Sequence, residues 1–185
     1  MSSKRDQIIE TTCQLIELQG YHATGLNQIL AESGAPKGSL YHYFPDGKDE
    51  LVEEAVNHTS GIIAARLQAG MAAFATAQEA IPAFLRDLAH YVELSGFQTG
   101  GPITAVALEA ASTNERLNAA CNQAYQSWRA IIEQKLLADG CEAGRAKRLA
   151  MMVIALIEGA IILSRSDRST APLLAAAAEL EILLQ

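Results

Sequence analysis

Little in the sequence could hold the chain together covalently or through a metal. Its three cysteines, Cys13, Cys121 and Cys141, are odd in number, far apart and form no C-x-x-C pair. A disulfide framework or a zinc knuckle is not expected, and a reducing compartment is. The four histidines, His22, His42, His58 and His90, show no ligand spacing with carboxylates or cysteines, so neither a metal nor another cofactor is expected. Basic charge is the minority: 14 Lys+Arg stand against 21 Asp+Glu, a net charge of −7. That excludes a diffuse basic surface, and any contact with nucleic acid must be local. Ile8 and Ile9 are followed at once by Glu10, which argues against a signal peptide. The longest apolar run, Leu149 to Leu163, is broken by Glu158 and bounded by Arg148 and Arg165. It is shorter than the roughly 17–25 residues a spanning helix needs, so it reads as a buried helix and no membrane partner is expected. G-x-S-x-G and P-loop motifs are absent, as is any nucleophile–base constellation, so the chain is not read as an enzyme.

What is present is helical periodicity along nearly the whole of the 185 residues, half of them hydrophobic. This is enough apolar material for a core, and no segment alternates as a strand would. Ser3 and Asp6 form a capping box before Ile8, Ile9, Leu15 and Ile16, and Gly20 closes the first helix. Thr24 is the expected cap of the second, and Gly34 its turn. Pro36 opens a short helix from Lys37 to Phe44. Pro45-Asp46-Gly47 is a turn, with Asp46 the expected cap of a long fourth helix. Thr76 and Glu79 form a second capping box, Asn114 or Thr113 caps the helix carrying Trp128, a very apolar helix spans about 142–164, and Ser169 or Thr170 caps a last helix from Pro172 to Leu184. The sum is an all-α chain of nine helices in two parts: residues 1–50 as a three-helix head, and 51–185 as a larger core.

The informative stretch is Thr24 to Leu51, TGLNQILAESGAPKGSLYHYFPDGKDEL. Two short helices joined by a tight Gly-containing turn make a helix-turn-helix arrangement. With Leu40 and Phe44 facing inward, Lys37, Gly38, Ser39, Tyr41, His42 and Tyr43 face wholly or partly outward, a donor-rich surface without acid. Gly38 costs a helix about 1 kcal/mol relative to Ala, which suggests close approach to something. The plainer reading is a surface-to-core helix edge, for which two tyrosines flanking a histidine are unusual. The head itself is acidic: residues 1–51 hold four basic and seven acidic side chains, net −3. The positive groups must therefore be gathered on one face.

These residues resemble the TetR-type bacterial transcriptional repressors. The resemblance rests on Thr24, Gly34, the run Lys37-Gly38-Ser39-Leu40-Tyr41-His42-Tyr43-Phe44, Lys48 and Leu51, and covers about residues 4–52. GAPKGSLYHYFPDGK looks like the LmrA/YxaF-like branch, with Pro36 in place of the commoner Ser or Thr and Gly47 as an extra residue before Lys48. The resemblance implies that Thr24, Ser39, Tyr41, His42 and Lys48 hold phosphates, while Gly25, Lys37, Gly38 and Tyr43 lie nearest the base edges of double-stranded operator DNA. It also implies an effector-binding and dimerisation domain over 51–185.

In that domain Phe84, Leu88, Tyr91, Phe97, Tyr125, Trp128, Met152 and Glu158 are candidates either for plain core or for lining a pocket. Buried Tyr and Trp tips need partners, and a small hydrophobic or aromatic ligand is one. A helix apolar on nearly all sides must be covered on nearly all sides. Leu149, Val153, Leu156, Ala160 and Leu163, with Leu173 and Leu180 of the last helix, are accordingly expected at a homodimer interface. The expected function is ligand-responsive transcriptional regulation. The alternatives are a helical small-molecule carrier or enzyme, and a helical adaptor that binds only protein.

Overall fold

The computed structural model describes residues 3–185, apart from the side chain of Pro102. Its described residues form nine helices and no strand: α1 (Lys4–Gln19), α2 (Leu26–Ser33), α3 (Lys37–Tyr43), α4 (Lys48–Ala72), α5 (Ala77–Leu94), α6 (Pro102–Glu109), α7 (Glu115–Ala138), α8 (Ala143–Asp167) and α9 (Ala171–Leu183). The all-α, nine-helix architecture is the expected one. Several helix starts are set by the anticipated caps. Ser3 and Asp6 exchange hydrogen bonds at α1, Thr76 and Glu79 do so at α5, and the Asn114 side chain accepts from the Leu117 amide at α7.

Two caps differ from expectation. Thr24 does not cap α2: Gly25 occupies that position with no side-chain bond, and Thr24 is buried with its hydroxyl donating to the Gly20 carbonyl at 2.7 Å. Asp46 does not cap α4. The Glu50 carboxylate instead reaches back to accept from the Asp46 amide at 2.9 Å, and the Asp46 carboxylate pairs with Arg116, 2.8 Å away. In both cases a partner distant in sequence, or a carbonyl across a tight turn, outcompetes the local cap.

The chain packs as two compact units. The first holds the residues up to Gly61 together with 102–124; the second holds 62–101 and 125–185. The divisions fall inside α4 and α7. The first unit is thus larger than the head expected to end at residue 50, because a segment fifty residues downstream folds onto it. Its core is Ile8, Ile9, Leu15, Ile29, Leu30, Leu40, Phe44 and Leu51, with Cys13, Leu26 and Tyr43 packed against the edge. Leu40 and Phe44 have no exposed surface. At roughly 1.5–3 kcal/mol for each such side chain, these two anchors fix α3 to the head despite its seven-residue length.

In the second unit α5 packs on α8 and α9, and α8 on α9. The N-terminal end of α5 is tied down by Asp139, which accepts from the Ala77 amide, and by Lys135, whose ammonium donates to the Phe74 and Ala75 carbonyls at 3.0 and 2.6 Å. Arg86 of α5 pairs with Glu181 of α9. By length and composition α8 could cross a membrane, but here it lies against two neighbours with Ala146, Leu149, Val153, Ile157, Ala160 and Ile161 buried.

Candidate nucleic-acid interface

The turn between α2 and α3 is made by Gly34, whose φ of +62° ends α2 in a left-handed cap, and by Pro36, whose fixed φ opens α3. One side of α3 then closes on the core and the other faces out. Lys37, Gly38, Tyr41 and His42 are exposed, Tyr41 at 63%. Among the described residues Lys37 has no ion-pair partner. A Cβ built on Gly25 or Gly38 would meet nothing within 4 Å. The absence of a side chain at Gly38 is thus not required by any neighbour within the protein. Ser39 is half-buried and its amide donates to the Pro36 carbonyl at 2.9 Å. Tyr43 is half-buried between the head core and His42, whose ring meets it edge-on with centroids 5.1 Å apart.

Two of the nine expected DNA residues sit differently. Thr24 was expected to hold a phosphate, but its side chain has no exposed surface and its hydroxyl is spent on Gly20. Lys48 is half-buried; its ammonium donates to the Tyr21 carbonyl at 2.7 Å and lies 4.1 Å from the centre of the Tyr21 ring. Burial lowers the Lys48 pKa from its ordinary value, with Asp49 and Glu109 opposing. Lys48 therefore reaches an outside phosphate only with the donors that Tyr21 leaves it.

Four acids around the start of α4 are held by partners within the first unit. Asp49 accepts from the Tyr21 hydroxyl at 2.9 Å and from the Asn114 amide at 2.7 Å. Arg116 bridges Asp46 and Glu53 at 2.8 and 3.1 Å. Glu54 pairs with Arg5, whose guanidinium also lies over the Phe44 ring. Burial and the bond to Asp49 push the Tyr21 phenol up to about 12, so it stays a neutral donor. On the opposite flank Glu109 accepts from the His22 amide at 2.8 Å, and its carboxylate fills the space where any side chain at Gly20 would stand. Sequence reading missed Tyr21, Asp49, Glu109, Asn114 and Arg116 as the braces of the head. Their partners lie 28 to 87 residues apart, and no local motif signals such pairs.

The eight expected pocket residues differ in burial and surroundings. Trp128 is buried and Tyr125, its neighbour on α7, meets it edge-on at 5.4 Å. Phe84 packs near Gly70, while Leu88 and Glu158 are half-buried. Tyr91 and Met152 are exposed, Tyr91 beneath the Arg66 guanidinium, so neither lines an enclosed cavity. Phe97 lines a cavity of about 500 Å³ with Gly96, Gln98, Arg165, Ser166 and Arg168.

The expected dimer stripe is corrected as well. Leu149, Val153 and Ala160 of α8 and Leu173 and Leu180 of α9 are buried within the second unit, and Leu156 is half-buried. Only Leu163 is exposed, at 55%. On a helix apolar all round, the richest stripe faces the chain's own α5 and α9. The outward apolar surface is made by Met151, Met152, Ile162 and Leu163 of α8 and by Leu174, Ile182 and Leu183 of α9.

Comparison with known proteins agrees with this geometry. Residues 8–55 match the family model of the bacterial regulatory proteins of the tetR family, and residues 77–179 match that of the C-terminal domain of LmrA/YxaF-like transcriptional regulators. The HTH-type transcriptional regulator YxaF of Bacillus subtilis is 40% identical over 181 residues, 98% of this chain and 95% of its own length. The HTH-type transcriptional regulator LmrA of the same organism is 42% identical over 170 residues, 92% of this chain and 90% of its own. A TetR transcriptional regulator from Legionella pneumophila has the same fold, with a TM-score of 0.88 over 100% of this chain and 99% of its own at 18% identity. With the head and the C-terminal portion both matched, the chain belongs to the TetR family of bacterial transcriptional regulators, in its LmrA/YxaF-like branch.

Proposed function

We propose that the protein is a ligand-responsive repressor of the cytoplasm, binding a palindromic operator as a homodimer and released by a small hydrophobic or aromatic effector. One observation carries the DNA reading: the outward face of α3 offers Lys37, Tyr41 and His42 around a side-chain-free Gly38, while Asp46, Glu53 and Glu54 are paired with Arg116 and Arg5. A net-acidic head approaches a phosphate backbone more readily when cations within it pair its carboxylates and leave Lys37 free. Lys37, Gly38 and Gly25 then serve the base edges. Ser39, Tyr41 and His42 serve phosphates, with Lys48 in part and Tyr43 at the margin.

The dimer reading rests on the outward apolar surface of α8 and α9, where Met151, Met152, Leu163, Leu174 and Ile182 would otherwise stand in water. Two such surfaces meeting about a two-fold axis form a four-helix bundle. The heads of the two protomers then enter successive major grooves about 34–36 Å apart, or further on a longer site.

The effector reading rests on the buried Trp128 with Tyr125 at its edge. α4 and α7 contribute to both units, which gives a displacement in one a covalent path to the other. Linkage requires that a ligand releasing DNA binds the DNA-bound dimer less tightly by the same factor. The test is a screen of varied aromatic compounds by Trp128 fluorescence and by release of operator DNA. The reading expects the same compounds to do both. Compounds that quench Trp128 and leave the operator complex intact would break the coupling.

A further inference from the structure

The cavity between the α5–α6 loop and the C-terminal end of α8 has a composition unlike that of an apolar effector pocket. Its lining, Gly96, Phe97, Gln98, Arg165, Ser166 and Arg168, holds two guanidinium groups, an amide, a hydroxyl and one aromatic ring, with no carboxylate. Among the described residues neither arginine forms an ion pair. Two guanidinium groups beside one cavity without a counter-charge repel each other, and each presents a planar fork of donors matched to an oxyanion.

The backbone supports the same conclusion. In the described chain only two residues other than glycine have positive φ, Phe97 at +63° and Arg168 at +49°, and both line this cavity. Arg168 ends α8 in a left-handed cap, a position where glycine is the usual residue because it carries no steric penalty there. Side chains are kept at both positions against that penalty, and both border the cavity.

A third observation concerns the seating of the loop on α8. Among the described residues, two buried side-chain oxygens lack a hydrogen-bond partner, those of Thr99 and Ser164. Thr99 follows Gln98 in the loop and Ser164 precedes Arg165 in α8, but neither lines the cavity. Gly100, between the same two segments, is so close to Val92 and Ile161 that a Cβ there would approach both at 3.1 Å. The loop is thus seated on α8, and residues of both line the cavity.

We infer that this cavity is a binding site for a small carboxylate-bearing molecule, its carboxylate held by Arg165 and Arg168 and its body lying against Phe97. The site is separate from the aromatic region around Trp128, and its test does not involve DNA. Calorimetric titration of the full chain at low salt with benzoate, and with benzamide as its neutral counterpart, provides the measurement. Benzoate is expected to bind saturably and at least tenfold more tightly than benzamide. Arg165→Gln should reduce benzoate binding at least tenfold. Arg168→Gly should do the same while leaving the melting temperature equal to or above that of the wild type, since glycine suits the left-handed cap. A purely structural role for Arg168 would not separate those two readouts. Absence of benzoate binding, equal binding of benzamide, or undiminished binding by both variants would overturn the inference.

Discussion

Gly38 and Thr24 are the residues where the chemistry of the head separates most cleanly from its packing. A methyl group at Gly38 meets nothing within 4 Å in the protein, and alanine is the better helix former by about 1 kcal/mol. Gly38→Ala is therefore expected to raise the stability of the free protein slightly and, on the proposed reading, to weaken operator binding by placing a methyl against the base edges. Chemical denaturation and a gel shift on the same preparation check both halves, and unaltered operator affinity would remove Gly38 from the interface. Thr24 behaves in the opposite way. Its hydroxyl is buried on the Gly20 carbonyl, so Thr24→Val should cost roughly 1–2 kcal/mol of stability by leaving that acceptor unmatched, with little change in the DNA affinity of the folded fraction. A large affinity loss at unchanged stability would restore a phosphate-binding role to Thr24. That role was drawn from a motif, and a motif records residue type without recording which way a hydroxyl turns.

At the scale of the helices, the legible features were those written within one turn of chain. The capping boxes of α1 and α5, the glycine that ends α2 and the two anchors of α3 are all present as expected, because each is signalled by residue types within one or two turns of chain. The cap of α8 follows the same local logic. Glu142 accepts from the Gly144 and Arg145 amides at 2.6 and 2.7 Å, and those bonds hold its carboxyl below its ordinary pKa. Its contribution is thus present above the unfolded value of 4.5 and is lost as pH falls through the lower folded value. Glu142→Ala should destabilise the protein at pH 7, and the gap between variant and wild type should narrow as the medium is acidified towards pH 3. A gap independent of pH, measured by thermal melting, would show that the charged cap does nothing. What the sequence could not reveal were pairings over long separations. Asp46 looked like a helix cap until Arg116, 70 residues away, claimed it. Glu109 gave no sign of bracing the turn at Gly20 and His22. The α8 stripe was recognisable as apolar, but periodicity cannot say which side of a uniformly apolar helix faces its own chain.

For the whole molecule, that last ambiguity turns into a prediction about assembly. Leu174 is 44% exposed on the outward side of α9, whereas Leu180 on the same helix is buried. Arginine at Leu174 should leave each protomer folded and yield monomers, and arginine at Leu180 should unfold or aggregate the chain, since it buries an unpaired charge. Sedimentation and circular dichroism separate the two outcomes, and a Leu174→Arg dimer of undiminished affinity would move the interface elsewhere. On the proposed reading a dimer matters because a single head, seven residues of α3 and a net-acidic surface, has few groups with which to hold DNA. Two heads on one palindrome double those contacts and add the spacing of the half-sites as a criterion. The central claim is therefore sequence-specific binding by the paired heads. Fluorescence anisotropy against the region upstream of the protein's own coding sequence, and against a scrambled duplex of equal length and composition, tests it over a range of salt. The account predicts that a palindromic segment of that region binds about 10³-fold or more tightly than the scrambled duplex, with both affinities falling as salt rises; equal affinities for the two duplexes at every salt concentration would contradict it.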